Sequence, residues 1–60
     1  MRWEYKTLYM PDTELDERRV EATIAPLGEH GWELVGVAER ERHGYTHEVV
    51  LFFRRPAAAA

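Results

Sequence analysis

The sequence predicts a small α+β protein, a single βαββ domain whose three-stranded mixed sheet, in strand order 1-3-2, carries one helix on one face. Three observations predict it: alternating residues near the N-terminus, a helical period in the middle, and two apolar runs separated by a polar loop. Sixty residues leave room for one domain only. We place this domain at residues 1–56 and expect the alanine tail, residues 57–60, to be disordered.

The first predicted strand runs from Arg2 to Met10. Its aromatic residues Trp3, Tyr5 and Tyr9 fall on one side of the strand, whereas charged residues occupy the other side of its first half. The seven aromatic residues of the chain are expected to fill the core, although two tryptophans in so short a chain leave room for an exposed one at an interface.

The predicted helix begins near residue 13, where Asp12 or Thr13 can act as the N-cap. At 100° per residue Val20, Ile24 and Leu27 fall within about 60° of one another, so they form one narrow apolar face. We expect this face to lie on the sheet.

The end of the helix is predicted near Ala25, or as a kinked last turn, because Pro26 lacks an N–H and crowds the preceding turn. Gly28 or Gly31 can then adopt the left-handed conformation that ends a helix.

A second apolar row, formed by Leu15, Ala22 and Pro26, lies on the opposite side of the predicted helix. A continuous row would offer a shallow groove to a second chain. The favoured interpretation is that the helix ends before Pro26, which breaks the row and leaves Leu15 to pack near Met10.

The second and third strands are predicted at Trp32 to Ala38 and Tyr45 to Arg54, joined by the polar loop Glu39 to Gly44. Val49 to Phe53 is apolar on both sides, as expected of a central strand with both faces covered. The first and second strands then flank the third and are joined by a right-handed helical crossover.

Three motifs carry a resemblance to a known family: Trp-Glu-Tyr-Lys at residues 3–6, Gly-Trp-Glu-Leu-Val at residues 31–35, and Phe-Phe-Arg-Arg-Pro at residues 52–56. The chain resembles, over nearly its whole length, the domain of unknown function 4177 family. The resemblance implies a small βαββ domain of bacterial or phage origin, found alone or attached to other short domains. It implies no catalytic residues.

Composition excludes several classes of protein. The chain has no cysteine, so disulfides and thiolate metal sites are absent. It has no apolar run long enough to span a membrane and begins with charged residues, so we expect a cytoplasmic location. A net charge of −3 disfavours nucleic acid.

The three histidines, His30, His43 and His47, are expected to be solvated and to bind no metal, because the last two straddle the end of a hairpin. No cofactor is expected.

The carboxylates Glu4, Glu33 and Glu48 could form a catalytic cluster only if they shared one sheet face. Cross-strand pairing with Lys6, Arg2 or Arg54 is the favoured role. Because the chain also lacks serine and cysteine, we expect no enzymatic activity.

The predicted function is that of a non-catalytic interaction module that forms a homodimer or a higher homo-oligomer, because one helix can cover only one face of a sheet that is apolar on both. The interface candidates are Val35, Val37, Val50, Phe52 and Leu15. The alternative is a domain that binds a small anionic ligand, a nucleotide or nucleic acid. The candidates for that site are Arg40, Arg42, Tyr45 and Arg54.

Overall fold

The computed structural model of the chain describes residues 2–42 and 46–58 and contains three strands, a short 3-10 helix and one α-helix. In chain order these are β1 (Trp3–Pro11), the 3-10 helix (Asp12–Glu14), α1 (Glu17–Glu29), β2 (Glu33–Arg42) and β3 (Thr46–Pro56). The predicted βαββ order is confirmed.

The strand β3 lies at the centre of the sheet, between β1 and β2, which confirms the predicted order 1-3-2. Both pairings are antiparallel, so the sheet is antiparallel throughout rather than mixed, because the two outer strands run parallel to each other but do not pair. Leu51 marks the middle of the sheet, since it lies opposite Leu8 on β1 and Val37 on β2. The doubly apolar character of β3 therefore predicted its position correctly.

A β-bulge interrupts β2. Leu34 lies opposite Phe53 and Gly36 lies opposite Phe52, so Val35 is the extra residue. Beyond the bulge Val37 lies opposite Leu51. Val37 and Leu34 therefore lie on the same side of the strand, although regular alternation would set them on opposite sides, because the bulge shifts the alternation by one residue.

The strand β2 is also longer than predicted. Glu39 to Arg42 was expected to be a loop because all four residues are charged, but they continue the ladder against β3. The remaining predicted loop residues, His43 and Gly44, lie outside the described residues, and the described part of β3 begins at Thr46. At the C-terminal end the Ala57 N–H donates to the Arg2 carbonyl at 2.9 Å, so the ladder reaches the first residue of the expected tail.

The helix α1 begins later than the sequence indicated. Asp16 is the N-cap, and its carboxylate accepts from the Arg19 N–H at 3.0 Å. The prediction of Asp12 or Thr13 as the cap is wrong, because these residues belong to the separate 3-10 helix.

The helix also ends later than predicted. Pro26 lies inside α1, which continues to Glu29, so the expectation of an end near Ala25 is wrong. At the end Gly31 has φ +84° and its N–H donates to Gly28, while the Trp32 N–H donates to Leu27 at 2.9 Å. This pair of bonds is a Schellman motif, and it assigns the left-handed position to Gly31.

The core lies between α1 and one side of the sheet. Met10, Val49, Leu51 and Phe53 are its buried hydrophobic residues among those described. The predicted helix face of Val20, Ile24 and Leu27 packs against them, together with Leu8 and Trp32. That face is therefore confirmed.

The molecule has two layers, one helix and one sheet. Its Cα atoms extend only 13 Å along the shortest axis. This thickness fits a helix on a sheet, since stacked layers lie about 10 Å apart. The sheet side that faces away from α1 carries no third layer within the residues described. Over the same residues, no helix has the length and apolarity that crossing a membrane would need.

Candidate functional site

The candidate site is the side of the sheet that faces away from α1, which we call the open face. Core residues alternate with open-face residues along β3, and the register extends the assignment to both neighbours. The open face comprises Trp3, Tyr5, Thr7 and Tyr9 of β1, Glu48, Val50, Phe52 and Arg54 of β3, and Glu33, Gly36, Ala38 and Arg40 of β2.

Aromatic side chains dominate the open face. Tyr5 is 71% exposed and Tyr9 54%, while Phe52 and Trp3 are 38% and 37% exposed. The expectation that the aromatic residues fill the core is wrong, since among the described ones only Phe53 is buried. A set of four exposed rings on one face is unusual for a surface that meets only water.

A shallow hollow of about 250 Å³ lies on this face. Its apolar walls come from Tyr9, Ala38, Val50 and Phe52. Ala38 is the small residue that β2 contributes to it, and a Cβ added at the neighbouring Gly36 would make an ordinary contact with the Phe52 ring at 3.9 Å. The open face therefore has both projecting rings and a shallow depression, so it can pack with shape complementarity against another surface.

One ion pair lies at each end of the open face. At one end Arg54 donates to Glu33 at 3.0 Å, and its guanidinium lies 4.2 Å from the centre of the Trp3 ring. At the other end Arg40 donates to Glu48 at 2.8 Å, and Glu48 is buried to 8% exposure. Among the side chains that the structure describes, each end thus carries one ion pair.

The helix side of the sheet holds a different cluster, around Trp32. The Arg55 guanidinium lies 4.3 Å from the centre of this ring and the Lys6 ammonium 4.8 Å from it. Arg55 also donates to the Glu4 carboxylate at 3.0 Å and to the His30 carbonyl at 2.7 Å. These bonds tie the end of α1 to both β1 and β3, which indicates a structural role for this cluster.

The structure distributes the predicted interface residues over three places. Val50 and Phe52 lie on the open face. Val37, 59% exposed, shares the helix side with Leu51, and Val35 occupies the bulge. Leu15 lies between the 3-10 helix and α1, beside a hollow that also touches Val20. The five candidates therefore do not form one surface.

The second apolar row of the helix is broken at its beginning rather than at its end. Ala22 and Pro26 are exposed within α1, whereas Leu15 precedes the helix and does not share its periodicity. The interpretation that breaks the row at Pro26 is therefore wrong.

The residues predicted for an anionic ligand are likewise separated. Arg40 lies opposite Glu48 of β3, whereas Arg54 lies on β3 itself, six residues further along the strand. The two arginine positions are therefore roughly 20 Å apart along the strand direction. Each already binds a carboxylate. Tyr45 and the side chain of Arg42 lie outside the part of the chain that the structure describes.

The three carboxylates considered for catalysis lie on two faces. Glu4 binds Arg55 on the helix side, whereas Glu33 and Glu48 bind separate arginines on the open face. Cross-strand pairing, the favoured role, is confirmed for all three, although only Glu33 pairs with one of the expected partners, Arg54.

The histidines that the structure describes are His30 and His47. The His47 ring lies 3.3 Å from the Glu39 carboxylate, and His30 is exposed at the end of α1. Across residues 2–42 and 46–58 no three potential metal ligands converge. His43 lies outside these ranges.

Sequence reasoning did not place Trp3, Tyr5 and Tyr9 at the candidate site. Their alternation was visible, but it does not say which side of the strand meets the helix. The available signal was the second half of β1, where Leu8 and Met10 occupy the side opposite the aromatic residues. Those two apolar residues mark the core side, which leaves the rings outside.

A family model described as a domain of unknown function, DUF4177, matches residues 3–56, and the chain belongs to this family. No curated protein and no solved structure matched in the other two comparisons.

Proposed function

We propose that this DUF4177 domain is a non-catalytic interaction module that associates with a second copy of itself through the open face. The observation that carries the proposal is the group of exposed rings Trp3, Tyr5, Tyr9 and Phe52 on a sheet side that α1 does not cover. Burying these rings against another protein surface removes apolar area from water, which is the main driving force of association.

The exposed area fits a dimer of ordinary size. Taking about 200 Å² for a complete aromatic side chain, the exposed parts of the four rings amount to about 400 Å². Each partner contributes about 800 Å² to a standard interface. Thr7, Val50, Ala38 and the ion pairs at both ends supply further surface on the same face.

The charges of the open face favour a second copy over a strongly charged partner. Each arginine whose side chain is described on this face is held by a glutamate of the same chain, so the described charges balance at both ends. A nucleic acid would need unneutralised cations, because phosphate contacts dominate its binding. Two neutral faces can meet without net repulsion.

The free edge of β2 is a weaker candidate for self-association. In a two-fold antiparallel pairing of this edge, residues with both odd or both even numbers lie opposite each other. In the register centred on Arg40, Arg40 would lie opposite Arg40 of the second copy, and Glu39 would lie opposite Glu41. The bulge at Val35 distorts the other half of the strand. Like charges and a bulge are devices that protect an edge strand from pairing.

The absence of catalysis rests on the state of the acidic residues. Glu4, Glu33 and Glu48 each bind an arginine and do not form one group. A carboxylate pair suited to acid–base work needs two such groups around one substrate position.

Size exclusion with light scattering tests the proposal. We expect the parent chain to show about twice its 7.1 kDa mass at micromolar concentration, and Phe52→Asp to show the monomer mass. The matched control is Val37→Asp, which places the same charge at an exposed apolar position on the other side of the sheet.

Two results would contradict the proposal. A parent mass of 7.1 kDa across a hundredfold dilution series shows that the chain does not self-associate. Loss of the dimer in Val37→Asp but not in Phe52→Asp moves the interface to the helix side.

A further inference from the structure

We infer that the two copies meet about a two-fold axis that crosses the strands at the level of Leu51, so that β3 of one copy lies antiparallel over β3 of the other. This inference rests on the proposed self-association through the open face. It specifies which residues face each other and which side chains fix the orientation.

The ion pairs at the two ends of the open face are arranged in opposite order. At one end the arginine, Arg54, is on the central strand and Glu33 is on the outer strand. At the other end Glu48 is on the central strand and Arg40 is on the outer strand. Along β3 these charges stand three residues to either side of Leu51.

When two sheets pack face to face with their strands aligned, the two-fold axis in the plane between them either crosses the strands or runs along them. An axis that crosses the strands sets Arg54 over Glu48 of the second copy, and Glu33 over Arg40 of the second copy. Each end of the interface then combines one ion pair from each copy, so every charge there faces a charge of opposite sign. An axis along β3 instead sets Arg54 over Arg54 and Glu48 over Glu48 of the second copy.

The apolar centre fits the axis that crosses the strands. Val50 and Phe52 lie at equal distances from Leu51, so each Phe52 faces the smaller Val50 of the second copy. Tyr9 of one copy likewise faces Thr7 of the second copy, and Thr7 is the small residue that interrupts the row of aromatic residues on β1. Large side chains therefore meet small ones, as close packing requires.

The axis along β3 also allows apolar packing, because it sets Tyr9 over Ala38 of the second copy. The charges are what distinguish the two axes. Charge complementarity fixes orientation across an interface more than it adds affinity, and like charges directly opposite each other are disfavoured.

The test reverses the charges at one end. The double variant Glu33→Arg with Arg54→Glu keeps an ion pair at that end and keeps the net charge at −3. If the axis crosses the strands, like charges face each other at both ends of the homodimer that this variant forms. We therefore expect sedimentation equilibrium to give a dissociation constant at least about tenfold higher than that of the parent. Raising the salt concentration should narrow this gap by screening the repulsion.

A mixture of the parent with the ¹⁵N-labelled double variant separates the two axes by native mass spectrometry. If the axis crosses the strands, the mixed dimer has one favourable and one unfavourable end. It then makes up no more than half of all dimers, which is the proportion expected from random pairing of an equimolar mixture. About the axis along β3 the variant homodimer is unweakened and the mixed dimer is in excess, which would overturn the inference while self-association stands.

A neutral variant, Glu33→Gln with Arg54→Gln, covers the case in which charge reversal prevents folding, as judged by its thermal transition. Neutralisation weakens the dimer about the crossing axis, because it removes attraction to Glu48 and Arg40 of the second copy. It strengthens the dimer about the axis along β3, because it removes the Arg54 repulsion, and that result also overturns the inference. A parent chain that is monomeric at all concentrations refutes the proposed function itself.

Discussion

Gly28 and Gly31 have opposite effects at the end of α1, although only two residues separate them. Gly31 has φ +84°, a conformation that costs about 1 kcal/mol for a residue with a β-carbon. Gly28 lies within the helix, where glycine is about 1 kcal/mol less favourable than alanine. A Cβ added at either position meets no atom within 4 Å, so packing does not confuse the comparison.

We therefore predict that Gly31→Ala lowers the free energy of unfolding by about 1 kcal/mol and that Gly28→Ala raises it by up to about 1 kcal/mol. Urea denaturation of the two variants and the parent measures both effects, and each variant is the control for the other. Equal shifts in the same direction would show that the Schellman motif does not decide the end of the helix.

Neighbouring residues can also take different roles, as Arg54 and Arg55 show. Because strand neighbours point to opposite faces, Arg54 stacks on Trp3 on the open face while Arg55 joins Trp32, Glu4 and the His30 carbonyl on the helix side. The sequence shows the alternation, but not which cluster each arginine joins.

At the scale of elements, the sequence predicted the order and the topology because few arrangements satisfy one doubly apolar strand and one amphipathic helix. It failed at boundaries where local chemistry was ambiguous. Asp12 and Asp16 are equally good caps, and the charged run Glu39 to Arg42 reads as a loop although its backbone pairs with β3.

The bulge was also missed. Its available signal was Gly36, because an isolated glycine inside a strand often marks a bulge, and one inserted residue moves all later side chains to the other face. The position of Val37, and with it part of the predicted interface, depended on this single irregularity.

Pro26 offers a test at the scale of the helix. It lies in the interior of α1 with its side chain exposed, so it removes the N–H that would donate to Ala22 and gains no core contact in return. An interior proline costs about 3 kcal/mol in a helix, partly offset because it also restricts the unfolded chain. We predict that Pro26→Ala raises the free energy of unfolding by about 1–2 kcal/mol.

The control is Pro56→Ala, which removes the same ring at the end of β3, outside any helix, and should change stability little. Denaturant unfolding of both variants decides the point. A destabilised Pro26→Ala would mean that the proline fixes a turn that the helix needs.

At the scale of the whole molecule, stability and association should be coupled. Only Met10, Val49, Leu51 and Phe53 are buried hydrophobic residues among those described, and a chain of this size hides only about 60% of its unfolded surface. The sheet then leaves its second apolar side uncovered. A partner that binds only the folded chain stabilises it by mass action. Dimer formation therefore shifts the unfolding equilibrium towards the folded chain.

The melting temperature of the parent should therefore rise with protein concentration. A tenfold increase is worth about 1.4 kcal/mol per dimer, or about 0.7 kcal/mol per chain, and 1 kcal/mol moves the midpoint of a 60–100-residue domain by about 4–8 °C. We predict a rise of about 4 °C for each tenfold increase, measured by circular dichroism in cells of different path length. Phe52→Asp is the control, since a chain that cannot dimerise melts at one temperature whatever its concentration. A parent midpoint that stays constant over a hundredfold range would show that the open face adds nothing to the stability of the fold.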